Sequence, residues 1–298
     1  MKTYEIDNGH VRAVFLDYGA RLHQLWVKDK KGTPVNIIAG LPKSEDYYED
    51  RWYRGAIVGR YAGRLENPLP VGEPSITIEN DGGLLLHCGS SGWSGRHWEL
   101  VKHTPDEIQW SIKCQDGSSG FPGTVVAQVS YRLENNALQL VYKANTSRPT
   151  PINLTNHAYF NLHPQNPIAL QHLQIFADQY LALKDNLVPT GALIEVTNPP
   201  LDFRTAHAID NGLLDDCFVL KQEKAARLFA PATGICMTTY TDQPGLVVFT
   251  PKDFYGICFE TQKFSNGPHH SHFPDTLLKP GSEYTQQTTF SFTVENDL

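Results

Sequence analysis

Short runs of branched and aromatic residues, alternating apolar with polar and broken at close intervals by Gly, Pro or Asn, limit what this chain can become. The clearest is Thr124-Val125-Val126-Ala127-Gln128-Val129-Ser130-Tyr131-Arg132-Leu133, followed by Glu134-Asn135-Asn136-Ala137 and then Leu138-Gln139-Leu140-Val141-Tyr142. A period of two puts every second side chain on one face of a strand, and the Asn-rich link predicts a hairpin. Comparable runs lie at 11–16, 22–27, 108–112, 173–176, 236–240, 246–250, 255–260 and 285–294, and Leu138's run extends to Ala144. With 23 Gly and 20 Pro as punctuation, little room is left for helices. Lys43–Asp50 and Asp210–Asp215 are expected to be short ones. No repeat, low-complexity stretch or linker divides the chain. The expectation is an all-β fold in which residues 1–298 form a single large antiparallel β-sandwich domain. A barrel is the alternative that spacing leaves open.

At 298 residues the chain can bury an ample core. A net charge of −7 argues against nucleic acid or an anionic membrane as partner, because phosphate binding needs a surplus of Lys and Arg. No apolar run of about 18 residues exists to span a bilayer, and the N-terminus lacks the apolar segment of a secretion signal. The five cysteines, at 88, 114, 217, 236 and 258, are scattered without a Cys-x-x-Cys pair. They read as reduced thiols of a cytoplasmic protein, with neither a disulfide frame nor a zinc site.

Five stretches carry candidate chemistry. Pro151-Ile152-Asn153-Leu154-Thr155-Asn156-His157-Ala158-Tyr159-Phe160-Asn161-Leu162 begins as a strand and then crowds three Asn, a Thr, a Tyr and a His. Alone, His157 reads as a core or surface histidine; its neighbours suggest the wall of a polar pocket. Gly59-Arg60-Tyr61-Ala62-Gly63-Arg64 permits close backbone approach and sets two arginines on one side of a helical turn, unless it is a plain turn with solvated side chains. Leu86-His87-Cys88-Gly89 opens a Gly/Ser-rich loop carrying Trp93 and Trp98, a combination that suits a sugar's apolar face and hydroxyl rim. Asp215-Asp216 lead into a strand. Glu260 ends an otherwise apolar strand, where burial would raise its pKa toward the range of a general base.

Absences narrow the classes further. There is no Gly-x-Ser-x-Gly elbow, phosphate-cradling Gly-x-x-x-x-Gly-Lys-Ser/Thr loop or dinucleotide fingerprint. His87-Cys88 lacks a correctly spaced second pair of metal ligands. His269-His270-Ser271-His272 sits between Pro268 and Pro274 without an acidic cluster and reads as a solvated loop rather than a metal site.

Together these stretches resemble the aldose 1-epimerase (galactose mutarotase) family. Asn153 through Leu162 is similar to that family's Asn-Leu-Thr-Asn-His-x-Tyr-Phe-Asn-Leu, Leu86-His87-Cys88-Gly89 to its Leu-His-Gly-Gly, and Phe259-Glu260-Thr261-Gln262 to its Leu-Glu-Thr/Ser-Gln. Gly59 through Arg64 resembles Gly-Arg-x-Ala-Asn-Arg, and weaker echoes run in order from about residue 10 to 292. The resemblance implies a β-sandwich with a sugar pocket, no metal, no cofactor, and either a monomer or a homodimer. By position it implies that His157 is the general acid and Glu260 the general base, facing each other across a cavity about one pyranose wide. Arg64, His87 and Asp215 would hold sugar hydroxyls. Gly63 stands where many family members have Asn, and Val247 where they often have a substrate-contacting Gln. The implied activity is interconversion of the α and β anomers of an aldose. The alternatives are a modified aldose as substrate, either deoxy or else sulfonated or phosphorylated with Arg60 or Arg96 supplying a basic lobe for the acidic group, or a non-catalytic sugar-binding domain.

Overall fold

The computed structural model describes residues 1–71, 75–80, 82–197, 200–209 and 212–295. Its centre is a nine-stranded antiparallel sheet in the order 207–208, 172–175, 224–230, 235–241, 284–294, 137–146, 125–134, 107–114 and 99–103. The hairpin read from the sequence lies within it. Val125–Glu134 pairs with Ala137–Thr146 from end to end, and Asn135 turns the corner at φ 50°. Inward residues of the first strand, Val125, Ala127, Val129, Tyr131 and Leu133, are buried while the alternate positions face outward.

A second, six-stranded sheet runs 159–160, 257–262, 245–249, 215–219, 179–183 and 189–195. Its strand Ile257–Gln262 is buried at every position because it is covered on both faces. Ile257 and Phe259 enter the main core, where Phe160 packs against Phe259 and Phe290, and Thr261 Oγ1 meets Thr288 Oγ1 of the larger sheet at 2.6 Å. Cys258, Glu260 and Gln262 point the other way. The layers are therefore those of a sandwich, and the barrel alternative falls. A four-stranded sheet, 3–7, 12–16, 21–28 and 34–36, packs its apolar face into the same core.

Among the described residues every helical segment is a 3₁₀ turn, the longest being Ser44–Glu49, where a short helix was expected. Of the helix expected at 210–215, residues 210–211 lie outside the described residues, and Asp215 already opens the strand Asp215–Val219. Lys224–Ala230 shows why some strands escape a propensity reading. Three alanines, a lysine and an arginine hide a strand whose pairing to 172–175 and 235–241 is set by tertiary contact.

Candidate active site

Because side chains alternate along a strand, the outward face of the smaller sheet carries Glu260 and Gln262, then Val247 and Phe249, then Asp215 and Cys217 on three adjacent strands. These residues floor an open pocket. Three loops wall it: 51–53, 63–64 with 86–87, and 183–189. All five residues singled out in the sequence, His157, Glu260, Arg64, His87 and Asp215, line it.

Each arrives by its own local logic. The short antiparallel pair Arg64–Glu66 with Leu84–Leu86 brings Arg64 and His87 together, and His87 is held at φ 51°. Gly63 donates its N–H to His87 Nδ1 at 3.1 Å. His157 follows the pairing of Thr155-Asn156 with Ile57-Val58, and its own backbone is fastened to Ala56 O and Gly55 N. The asparagines of that motif do not line the pocket as expected; they are framework. Asn153 donates to Ala62 O and Lys263 O and accepts from Lys263 N, tying the Arg64 loop to the end of the Glu260 strand. Asn156 bonds Gly55 O and Tyr131 Oη, and Asn161 bonds Asn166 O and Tyr255 O.

His157 Nε2 and Glu260 Oε1 stand 3.5 Å apart, each side chain 5 % exposed. No ring fits between them, so the expectation of two groups facing each other across a pyranose is corrected. Side by side, they can meet only one edge of a bound molecule. That suits two oxygens bonded to the same carbon, which lie closer to one another than 3.5 Å. Burial pushes Glu260 up to about 8; the charge of Asp215 adds to this and Arg64 opposes it. Burial takes His157 down to about 4, with Arg21 contributing in the same direction. At neutral pH the pair therefore holds one proton between its two members.

His87 is lowered well below the ordinary histidine range by burial, then by His157 and Arg64. It is therefore neutral, and with Nδ1 accepting from Gly63 its other nitrogen carries the hydrogen. His87, His157 and Glu260 have potential ligand atoms within 4.8 Å of one another, yet this tautomer makes His87 a hydrogen-bond donor to a bound molecule rather than a metal ligand. Arg64 Nη2 lies 3.5 Å from Asp215 Oδ2, a loose pair that leaves donors and acceptors for hydroxyls. Burial also raises Asp215, and Arg64 holds that rise back.

Other expectations are corrected. Arg60 and Arg64 do not share a helical turn. Arg60 is buried, donating to Pro122 O and Thr150 Oγ1, and Arg96 donates to Lys113 O, so neither lines the pocket. Trp93 and Trp98 are core residues packed edge to face, and the pocket's aromatic wall is Trp52 and Tyr53 instead. That rim is set by buried Arg21, which reaches Asp50 Oδ2 at 3.2 Å and Arg54 O at 2.7 Å, while Asp50 accepts from Trp52 N and Arg54 N. The loop 269–272 is partly solvated as expected, with His272 exposed and His269 and His270 half-buried, but its histidines are also hydrogen-bonded. His269, His270 and His272 bond the carbonyls of Glu66, Pro189 and Gly191 and fasten loops around the pocket.

Two lining residues had no role assigned from sequence. Tyr159 Oη and Gln262 Oε1 are buried in the pocket wall without a partner among the described residues, and buried polar atoms are costly unless something satisfies them. Both sit inside motifs already noted, so the signal was present but not separable from packing.

A family model described as aldose 1-epimerase matches residues 2–291. The chain is 32% identical to a galactose mutarotase of Sus scrofa, over 99% of this chain and 94% of that protein. It is 29% identical to an aldose 1-epimerase of Escherichia coli K12, over 97% of this chain and 94% of that one. The structure of a GalM/aldose epimerase homologue from C. elegans superposes with a TM-score of 0.93 at 28% identity, covering 99% of both chains.

Proposed function

The chain belongs to the aldose 1-epimerase family, and from that premise we propose that it opens and recloses an aldose ring with Glu260 and His157 as the proton-transfer pair. It is a carbohydrate isomerase, interconverting α and β anomers. The observation that carries the residue assignment is the 3.5 Å approach of imidazole to carboxyl at the buried end of the pocket.

Ring opening removes the O1 proton and delivers one to O5 as the C1–O5 bond breaks, leaving a free aldehyde. Rotation about C1–C2 and reclosure give the other anomer. One group must be empty and one loaded, and a pair sharing a single proton meets both demands. In the ionic form Glu260 takes the O1 proton and protonated His157 supplies O5. Arg64 favours that form because its charge stabilises the Glu260 carboxylate. Reclosure exchanges the duties, so the site returns to its starting state without outside protons. His87 donates to a hydroxyl, and Arg64 with Asp215 orients neighbouring ones.

We also read residues 1–298 as one domain, since a core cluster runs from Ile6 to Phe292, and place the protein in the cytoplasm, supported by five cysteines that are all free and buried. No helix among the described residues is long and apolar enough to cross a membrane. The test is NMR or polarimetric measurement of anomer exchange with Glu260→Gln and His157→Asn. Each should lose at least about 10²-fold in rate. Rates within a few-fold of the parent in both variants would overturn the assignment.

A further inference from the structure

Beside the proton-transfer pair the pocket has one apolar stretch, Val247, Phe249, Leu183 and Leu187, set among polar lining residues such as Gln262, Ser265 and Asp215, and strand register explains its place. Glu260 is paired with Val247 on the neighbouring strand, and Val247 with Cys217 on the next. Paired residues share a face, so a ligand extending outward from Glu260 crosses Val247 after one strand spacing of about 4.8 Å and Cys217 after two. One spacing is also close to the span of a pyranose from C1 to its far edge. Phe249, two residues along from Val247, stacks on Trp52 with centroids 5.9 Å apart, and Leu183 and Leu187 close the far side. Val247, Phe249 and the leucines cannot replace the hydrogen bonds that a hydroxyl gives up on leaving water.

Charge points the same way. Each of the pocket's two lining arginines has a carboxylate partner, loosely in both cases. Arg51 donates to Asp253 at 2.7 Å and Arg64 is paired with Asp215. Among the described residues each cation lining the pocket is balanced by a carboxylate, and Asp215, itself in the lining, would repel a phosphate or sulfonate.

We infer that the substrate this pocket selects is an uncharged deoxy aldose, one that turns a C–H or methyl group, rather than a hydroxyl or an acidic group, toward Val247 and Phe249. This inference rests on the mutarotase reading. The hydrogen bonds needed for ring opening are concentrated at Glu260, His157, His87 and the Arg64–Asp215 pair, while the remote part of the sugar meets a surface that rewards fewer hydroxyls.

The test is anomer-exchange NMR on the intact protein with glucose, its 2-, 3-, 4- and 6-deoxy derivatives, galactose, 6-deoxygalactose and glucose 6-phosphate. At least one deoxy sugar should exceed its parent in kcat/KM by about 10-fold or more, the range over which an apolar pocket discriminates against an added hydroxyl. Glucose 6-phosphate should fall below glucose. Deoxy sugars all at or below their parents, or the phosphate ester above glucose, would overturn the inference and leave the mutarotase reading standing. No acceleration of any sugar would remove both. In Val247→Gln, which places an amide on the wall, the deoxy-to-parent ratio should fall about 10-fold; an unchanged ratio in the folded variant would remove Val247 as its determinant.

Discussion

Replacing Glu260 by Gln should make the protein more stable in mildly alkaline solution while removing most of its activity. The carboxyl is 4 % exposed, in a floor whose next strand offers Val247 rather than a donor. Its pKa in the folded chain is about 8, against an ordinary value of 4.5. Below pH 4.5 both the folded and unfolded forms hold the proton and the group costs nothing. As pH rises, the unfolded chain ionises first and the folded chain is progressively disfavoured, until the folded group also ionises near 8. The gap of 3.5 units (8 − 4.5), at about 1.36 kcal/mol each, sets an upper limit near 5 kcal/mol, of which about 4 kcal/mol develops between pH 5 and 9. Gln cannot ionise and should escape this loss. His157 contributes with the opposite sign, its stabilisation present above 6.5 and lost as pH falls toward 4. It remains in both proteins and largely cancels in the comparison. Urea unfolding of the two proteins at pH 5, 7 and 9 measures the difference directly. The variant should be nearly matched to the parent at pH 5 and gain steadily above it. A pH-independent difference, or a variant less stable than the parent at pH 9, would refute the claim that burial holds this carboxyl protonated well above its ordinary range.

The shared proton also fixes a pH profile. Rate should be bell-shaped, falling below about 4 as His157 and Glu260 both become protonated and above about 8 as both lose their proton; a rate flat from pH 5 to 10 would exclude the pair. Asp215→Asn removes a charge that raises Glu260, so the alkaline limb should move to lower pH while KM rises, read from kcat/KM against pH. Gly63 sits at φ +80°, and a Cβ there would lie 1.9 Å from Ser265 Oγ. Gly63→Ala should therefore cost roughly 2–4 kcal/mol by strain and overlap, and adding Ser265→Gly should recover about 1–2 kcal/mol of it; a double variant no better than the single one would show that the clash is not the cause. Asn153→Ala should cost about 2–4 kcal/mol, since Ala62, Lys263 N and Lys263 O all lose a buried partner, and thermal unfolding reports it.

What the sequence disclosed about the site followed from chemistry carried by single residues. A carboxylate after an apolar run, which the structure places inside the strand Ile257–Gln262 rather than at its end, and a histidine inside an Asn-rich run are visible because burial of either is exceptional, and both proved to be 4 % exposed. Their spacing was not visible, since 3.5 Å between residues 157 and 260 depends on two strands from distant parts of the chain meeting in register. The same physics explains the misplaced tryptophans. Trp93 and Trp98 looked like a sugar platform from their Gly/Ser neighbours, yet Gly92 is small because a Cβ there would lie 2.7 Å from His87 O, and Trp93 is packed so closely into the core that a Cβ at Gly59 would lie 2.3 Å from its ring. Trp52 carried no comparable local signal. Its place at the rim comes from Arg21 and Asp50, a buried ion pair spanning 29 residues that closes the loop around it. Strand alternation could be read position by position, and so the sandwich was legible. Of the pocket's apolar stretch only Val247 was legible, through the resemblance; Phe249, Leu183 and Leu187 join it only when register sets their strands beside Glu260, and register is a property of the sheet rather than of any one strand.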